Sequence, residues 1–104
     1  MLLHEARFRP RELTADGYAE LAAHVAPSVA EMPGLILKIW TGRDADGRFA
    51  GIYLWRDRAS YEAFAGGPFD VAASADFVDV ETRQVEVLEA PTTITAHTGA
   101  ALSR

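Results

Sequence analysis

Lys38, Trp40, Tyr53 and Trp55 occupy alternate positions in two neighbouring apolar runs, so a pair of strands would put an amine, two indoles and a phenol on one face. An ammonium beside flat apolar walls can stabilise a phenolate, an enolate or an oxygen-derived anion, and a phenol can orient a substrate hydroxyl. Tyr61 and Phe64 on a following helix, and Tyr18 on an earlier one, extend the aromatic set. The same side chains also suit a packed core or a subunit interface, and a lysine stem can cross a sheet edge to leave its ammonium in water. Arg7 and Arg83 are further cations, with salt bridging as their ordinary role.

The three histidines, His4, His24 and His97, have no metal-binding spacing. His24 lies between Leu21 and Val25 on a helix, where it could border the helix-to-sheet space, and is the acid/base candidate among the three. A structural or solvated role is the alternative for each. The chain has no cysteine, which removes thiol catalysis, disulfides and thiolate metal sites. Asp44 and Asp46 fall in a turn, Asp57 suits a helix cap, and Ser28, Ser60, Ser74 and Ser103 lack a nucleophile elbow. Gly66-Gly67-Pro68 reads as a helix stop rather than a phosphate loop. No metal and no cofactor are therefore expected.

The central positioning unit is a β-hairpin between Pro33 and Asp57, with strands over Leu35–Gly42 and Arg48–Arg56 around Asp46-Gly47. A two-residue turn would pair Trp40 with Tyr53, Lys38 with Trp55, Thr41 with Ile52 and Ile39 with Leu54; a longer bulged turn is the alternative. One face is then aromatic with a lysine and the other aliphatic, so both need covering. Before the hairpin, Leu2 to Arg9 alternates as a strand, with Leu2, His4, Ala6 and Phe8 on one face. Thr14 caps a helix over Ala15 to Met32 whose apolar face is Tyr18, Leu21, Ala22, Val25 and Val29, with Pro27 able to kink or divide it. After the hairpin, Asp57 caps a short helix to about Ala65, and Phe69 to Asp76 forms another turn or two. Phe77 to Leu88 makes a last strand whose valine parity changes, predicting a bulge near Thr82 to Gln84. Residues 92–104 read as a C-terminal extension to a domain spanning 1–91, and Ile94 or Leu102 could dock on the domain or a second subunit.

Strand, helix, strand, strand, helix, strand is the α+β, ferredoxin-like split arrangement, with a four-stranded antiparallel sheet carrying its helices on one face. The uncovered face implies a homodimer packed sheet to sheet. With 104 residues, a formal charge of -5 and no basic cluster, the chain is one acidic domain without the electrostatic footprint of a nucleic-acid binder. No apolar stretch approaches membrane-spanning length, and a cytoplasmic location is expected.

Met32-Pro33-Gly34-Leu35, Leu37-Lys38-Ile39-Trp40-Thr41, Ala50-Gly51-Ile52-Tyr53-Leu54-Trp55 with Asp57, and Glu89-Ala90-Pro91 together resemble the YdhR-type monooxygenases of the dimeric α/β-barrel superfamily, over residues 2 to 91. The resemblance implies a ferredoxin-like protomer dimerised through its sheet, with a cavity between sheet and helices. It also implies a cofactor-independent monooxygenase acting on a small electron-rich aromatic or phenolic ligand. In that scheme Lys38 or Arg7 stabilises negative charge, Tyr53 orients the substrate hydroxyl, and His24 accepts the proton. Trp40 and Trp55 form walls, joined by Tyr61, Phe64 and Tyr18. The alternatives are a non-enzymatic homodimer binding a small molecule, an isomerase or decarboxylase working through an enolate, and a haem-degrading monooxygenase with His24 near the axial position.

Overall fold

A computed structural model describes residues 1–96. Leu2–Pro10 (β1), Leu35–Trp40 (β2), Phe49–Trp55 (β3) and Phe77–Glu86 (β4) form one sheet in the order β2-β3-β1-β4, with every neighbouring pair antiparallel. Ala15–Ala30 (α1) and Arg58–Phe64 (α2) are the crossovers, Val71–Ala73 is a 3₁₀ turn, and Glu89–Thr95 (α3) follows the last strand. This is the ferredoxin-like topology.

Both crossover helices start where the sequence places a cap. Thr14 Oγ1 accepts from Gly17 N at 3.1 Å, and Asp57 Oδ1 accepts from Ser60 N at 2.8 Å and Ser60 Oγ at 2.7 Å. α1 runs through Pro27 as one helix. The proline is exposed and stands less than two turns from the helix end, so the lost donor costs a single internal bond. α3 begins inside the expected 1–91 domain and runs into the expected extension; its Ile94 is exposed, while Leu102 lies outside the described residues.

Period-two alternation sorts the sheet into an inner and an outer face. Leu2, His4, Ala6 and Phe8 of β1 are buried and point toward the helices, as do Phe49, Tyr53 and Trp55 of β3. The core forms two clusters along this inner face. Leu2, Tyr53, Trp55 and Phe64 make one, flanked by Met32, Leu35, Tyr61 and Phe69. Phe8, Tyr18 and Phe49 make the other, flanked by Trp40, Val71, Phe77 and Val80. Leu3, Leu37, Ile39, Ile52, Leu54 and Val85 alternate onto the outer face by their register, and Leu37, Ile39 and Val85 remain about half exposed, at 50, 48 and 47 %.

The hairpin register is Lys38↔Tyr53, Ile39↔Ile52 and Trp40↔Gly51, displaced by two residues from the two-residue-turn expectation. The cause lies in the loop. Asp44 accepts from Asp46 N and Arg48 N through Oδ1, its carbonyl accepts from Gly47 N at 3.0 Å, and Gly47 takes φ +78°. These contacts build the longer turn with a left-handed glycine. A shift of two preserves each residue's face, so Lys38, Trp40, Tyr53 and Trp55 still share one side. The β4 bulge falls earlier than expected: the β1–β4 register shifts between Arg7↔Glu81 and Arg9↔Val78, and Asp79 has φ +53°. Asp79 tolerates that backbone and binds Arg9 through its carboxylate at 2.6 Å.

Candidate functional site

Lys38 comes from an edge strand, yet its side chain lies inward across the sheet. Its Nζ is 3.3 Å from the centroid of Trp40, two residues along the same face, and 4.6 Å from that of Tyr53 directly opposite. Gly51 makes room for it. A Cβ built on Gly51 would stand 3.2 Å from both Lys38 Cε and Tyr53 Cε1, closer than ordinary side-chain contact. Among the described residues no carboxylate reaches ion-pair distance of Nζ. Burial without a counter-charge lowers the lysine pKa from 10.5 to about 7. The Trp40 face, worth about 2 kcal/mol or more to a desolvated ammonium, opposes part of this lowering.

A cavity of about 220 Å³ opens beside this lysine between the sheet and α1, lined by Lys38, Trp40, Tyr18, Phe8, Asp70 and Phe77 among others. Tyr18 is pushed up to about 12 by burial, and burial likewise raises Tyr53, so both phenols keep their protons and can donate hydrogen bonds. Tyr53 lies beneath Lys38 without lining the cavity, stacked on His4 at 4.9 Å and on Trp55 at 5.7 Å. A second cavity of about 430 Å³ lies on the α2 side against Trp55, Phe64, Met32, Asp57 and Ser60. Pro68 and Phe69 line both, so the segment after α2 is the partition between them. Tyr61 and Phe64 pack on His4 near this second cluster, at ring distances of 4.8 and 5.8 Å.

The sequence-selected residues thus divide. Lys38, Trp40 and Tyr18 meet at the smaller cavity with Tyr53 under them, whereas Trp55, Tyr61 and Phe64 belong to the adjoining cluster. His24 is exposed on α1, since Tyr18 and Val29 set the inward direction and His24 lies off that line. Arg7 is on the outer sheet face because β1 alternates, and there it binds Asp44 at 2.7 Å and Asp46 at 3.1 Å. Arg83 also faces outward, 3.6 Å from Glu5. His97 lies outside the described residues.

His4 is the histidine that the fold places in the core. It is 2 % exposed, and its Nδ1 is buried without a hydrogen-bond partner. Burial is the main cause of its lowered pKa; Lys38 adds to the lowering and Asp70 opposes it. The signal was present in the alternation of β1, where His4 shares a face with Leu2, Ala6 and Phe8. No three His, Asp or Glu side chains among the described residues are grouped to hold a metal ion, and no histidine lines either cavity, so these residues do not fit an imidazole-ligated haem. No helix among them is long and apolar enough to cross a membrane.

The family described as "Putative mono-oxygenase ydhR" matches residues 6–98. The chain belongs to the YdhR family. No protein with a curated description matches this sequence. Solved structures similar to this YdhR-family chain include a "putative antibiotic biosynthesis monooxygenase" from Deinococcus radiodurans, at 18 % identity and a TM-score of 0.65, covering 86 % of this chain and 95 % of that one. SnoaB, a cofactor-independent oxygenase from Streptomyces nogalater, is 18 % identical with a TM-score of 0.62, over 85 % of this chain and 93 % of its own. The haem-degrader MhuD from Mycobacterium tuberculosis, solved with two haems in its active site, is 22 % identical with a TM-score of 0.60, over 85 and 96 % of the two chains. These likenesses establish a shared fold with proteins of differing chemistry.

Proposed function

We propose that this YdhR-family chain is a cofactor-independent monooxygenase that oxidises a small electron-rich phenol, acting as a cytoplasmic homodimer. The observation that carries the reading is Lys38, an amine without a carboxylate partner at the wall of an aromatic cavity. A lysine titrating near neutrality takes the phenol proton, and the resulting ammonium holds the phenolate by charge in a site of low dielectric. The phenolate is the reductant. It passes electrons to dioxygen, one oxygen atom enters the ring as the product becomes a quinone, and the other leaves as water. Protonated Tyr18 donates a hydrogen bond toward a substrate oxygen, Trp40 forms a flat wall, and Tyr53, which does not line the cavity, supports Lys38 from beneath.

His24 and Arg7 have no part in this scheme because neither lies beside the cavity. Similarity in fold to a cofactor-independent oxygenase supports the class of reaction, and His4, buried against Tyr53, supports the layer beneath Lys38. The test is a screen of phenols and hydroquinones with purified protein under air and under anaerobic conditions, followed by product mass and oxygen consumption. Quinone formation with matching oxygen uptake is the expected result. Turnover that continues unchanged without oxygen would remove the oxygenase reading.

A further inference from the structure

Lys38 is the only lysine in the sequence; every other one of the ten basic side chains is an arginine, which stays charged throughout the accessible pH range. The single side-chain amine that could become a nucleophile is therefore also the one set into an apolar cavity. We propose that Lys38 is a Schiff-base-forming amine, whose Nζ condenses with the carbonyl of a small neutral aldehyde or ketone seated between Trp40, Tyr18 and Phe77. This goes beyond the oxygenase reading, because the step needs neither oxygen nor a phenol.

The bond changes are closed within the site. The Nζ lone pair forms a bond to the carbonyl carbon, the carbonyl oxygen takes a proton to give a carbinolamine, and loss of that oxygen as water leaves the imine. Hydrolysis reverses each step and restores the amine, with no net oxidation. An imine polarises the adjacent carbon, which opens enamine chemistry such as proton exchange or aldol cleavage at that position.

Three features of the cavity select the reaction and its substrate. The amine lacks a carboxylate partner, so its lone pair is not held as half of a salt bridge. Gly51 leaves the space in which the lysine stem lies along Tyr53, fixing Nζ against the Trp40 face rather than in bulk water. The lining also includes Asp70 and Asp76, whose negative charges disfavour a carboxylate-bearing substrate. Asp70 is already committed to the fold, accepting from Gly66 N at 2.8 Å and Ala72 N at 3.0 Å. A volume of about 220 Å³ accommodates a small aromatic carbonyl compound.

The experiment is reductive trapping of the full chain with benzaldehyde and cyanoborohydride at pH 7 without oxygen, read by intact mass and peptide mapping. Beyond labelling of the α-amine, one adduct on Lys38 is expected, formed at least ~10-fold faster in the native protein than in the urea-unfolded chain, since desolvation raises the share of free amine only in the fold. 4-Carboxybenzaldehyde should label native protein several-fold more slowly than benzaldehyde. A Lys38→Arg variant with unchanged circular dichroism should give no adduct beyond the α-amine of Met1. Native labelling no faster than in urea, or confined to the α-amine, would overturn the proposal, and equal rates for the two aldehydes would overturn the neutral-substrate assignment. Phenol oxidation enters none of these readouts, so its failure and this one are separately visible.

Discussion

At the level of single residues, the site is built from groups whose environment fixes their protonation. The fold disfavours the Lys38 ammonium, so the unfolded chain binds one more proton between the folded value of about 7 and the unfolded value of 10.5. Stability from this group is complete above 10.5 and is lost as pH falls through about 7. Lys38→Met keeps the stem and removes the charge. It should raise stability by about 1–2 kcal/mol at pH 7 and below, with the gain shrinking toward pH 10.5, as read from urea midpoints across that range. The same variant should lose at least ~100-fold in any phenol turnover, since the base and the anion's counter-charge are the same atom. A variant that is less stable at neutral pH would show that Lys38 is not desolvated. Stability gained with activity lost is the pattern of a functional group held at the expense of the fold. His4 has the same logic on a smaller scale: an imidazole kept neutral by burial, with no partner for Nδ1.

Among the elements, the hairpin and its flanking turns carry the geometry, and Gly34 is the most constrained point. It has φ +78°, and a Cβ there would run into the Ser60 side chain. Its carbonyl also accepts from Arg56 N at 2.8 Å, tying the start of β2 to the end of β3. Gly34→Ala should therefore destabilise by about 2 kcal/mol or more through backbone strain and displacement of the α2 start, measured as a fall in the urea midpoint at unchanged slope. Neutrality would mean that α2 adjusts freely relative to the hairpin. Pro33-Gly34 was legible in the sequence as a stop, and Thr14 and Asp57 as caps, because each has a local mechanism. The hairpin register was not legible, because Asp46-Gly47 suits both a two-residue and a longer turn, and only the contacts of Asp44 decide between them. The faces are the same in both registers because the displacement is even. The β4 bulge could be inferred from valine parity but not located, since its position depends on which residue accepts positive φ, and Asp79 does so opposite Arg9. A place between Leu21 and Val25 does not turn His24 inward, whereas the strand alternation that buries His4 is the more rigid constraint.

For the molecule as a whole, the two sheet faces have different fates. The inner face is filled by the helices except where Lys38 and the two cavities interrupt the packing. The outer face carries Leu37 and Ile39 on β2 beside Ile52 and Leu54 on β3, with Leu3 and Val85 completing the stripe across β1 and β4. Glu5, Arg83, Arg7 and Glu81 border it on the same face. Apolar side chains left half exposed across a flat sheet forfeit about 25 cal/mol for each Å² that stays wet, and a twofold partner presenting the same stripe removes that loss for both copies. The charged border favours a closed pair over continued stacking, since an Arg or Glu must find an opposite charge or water at the rim. The wild-type chain should therefore sediment at twice the protomer mass at micromolar concentration. Leu37→Asp combined with Ile39→Asp, both on the edge strand and outside the inner core, should shift it to the protomer mass while retaining the far-ultraviolet signature of the sheet. If the wild-type chain sediments as a single protomer at ~100 μM, the outer face is covered in some other way and sheet-to-sheet pairing is excluded.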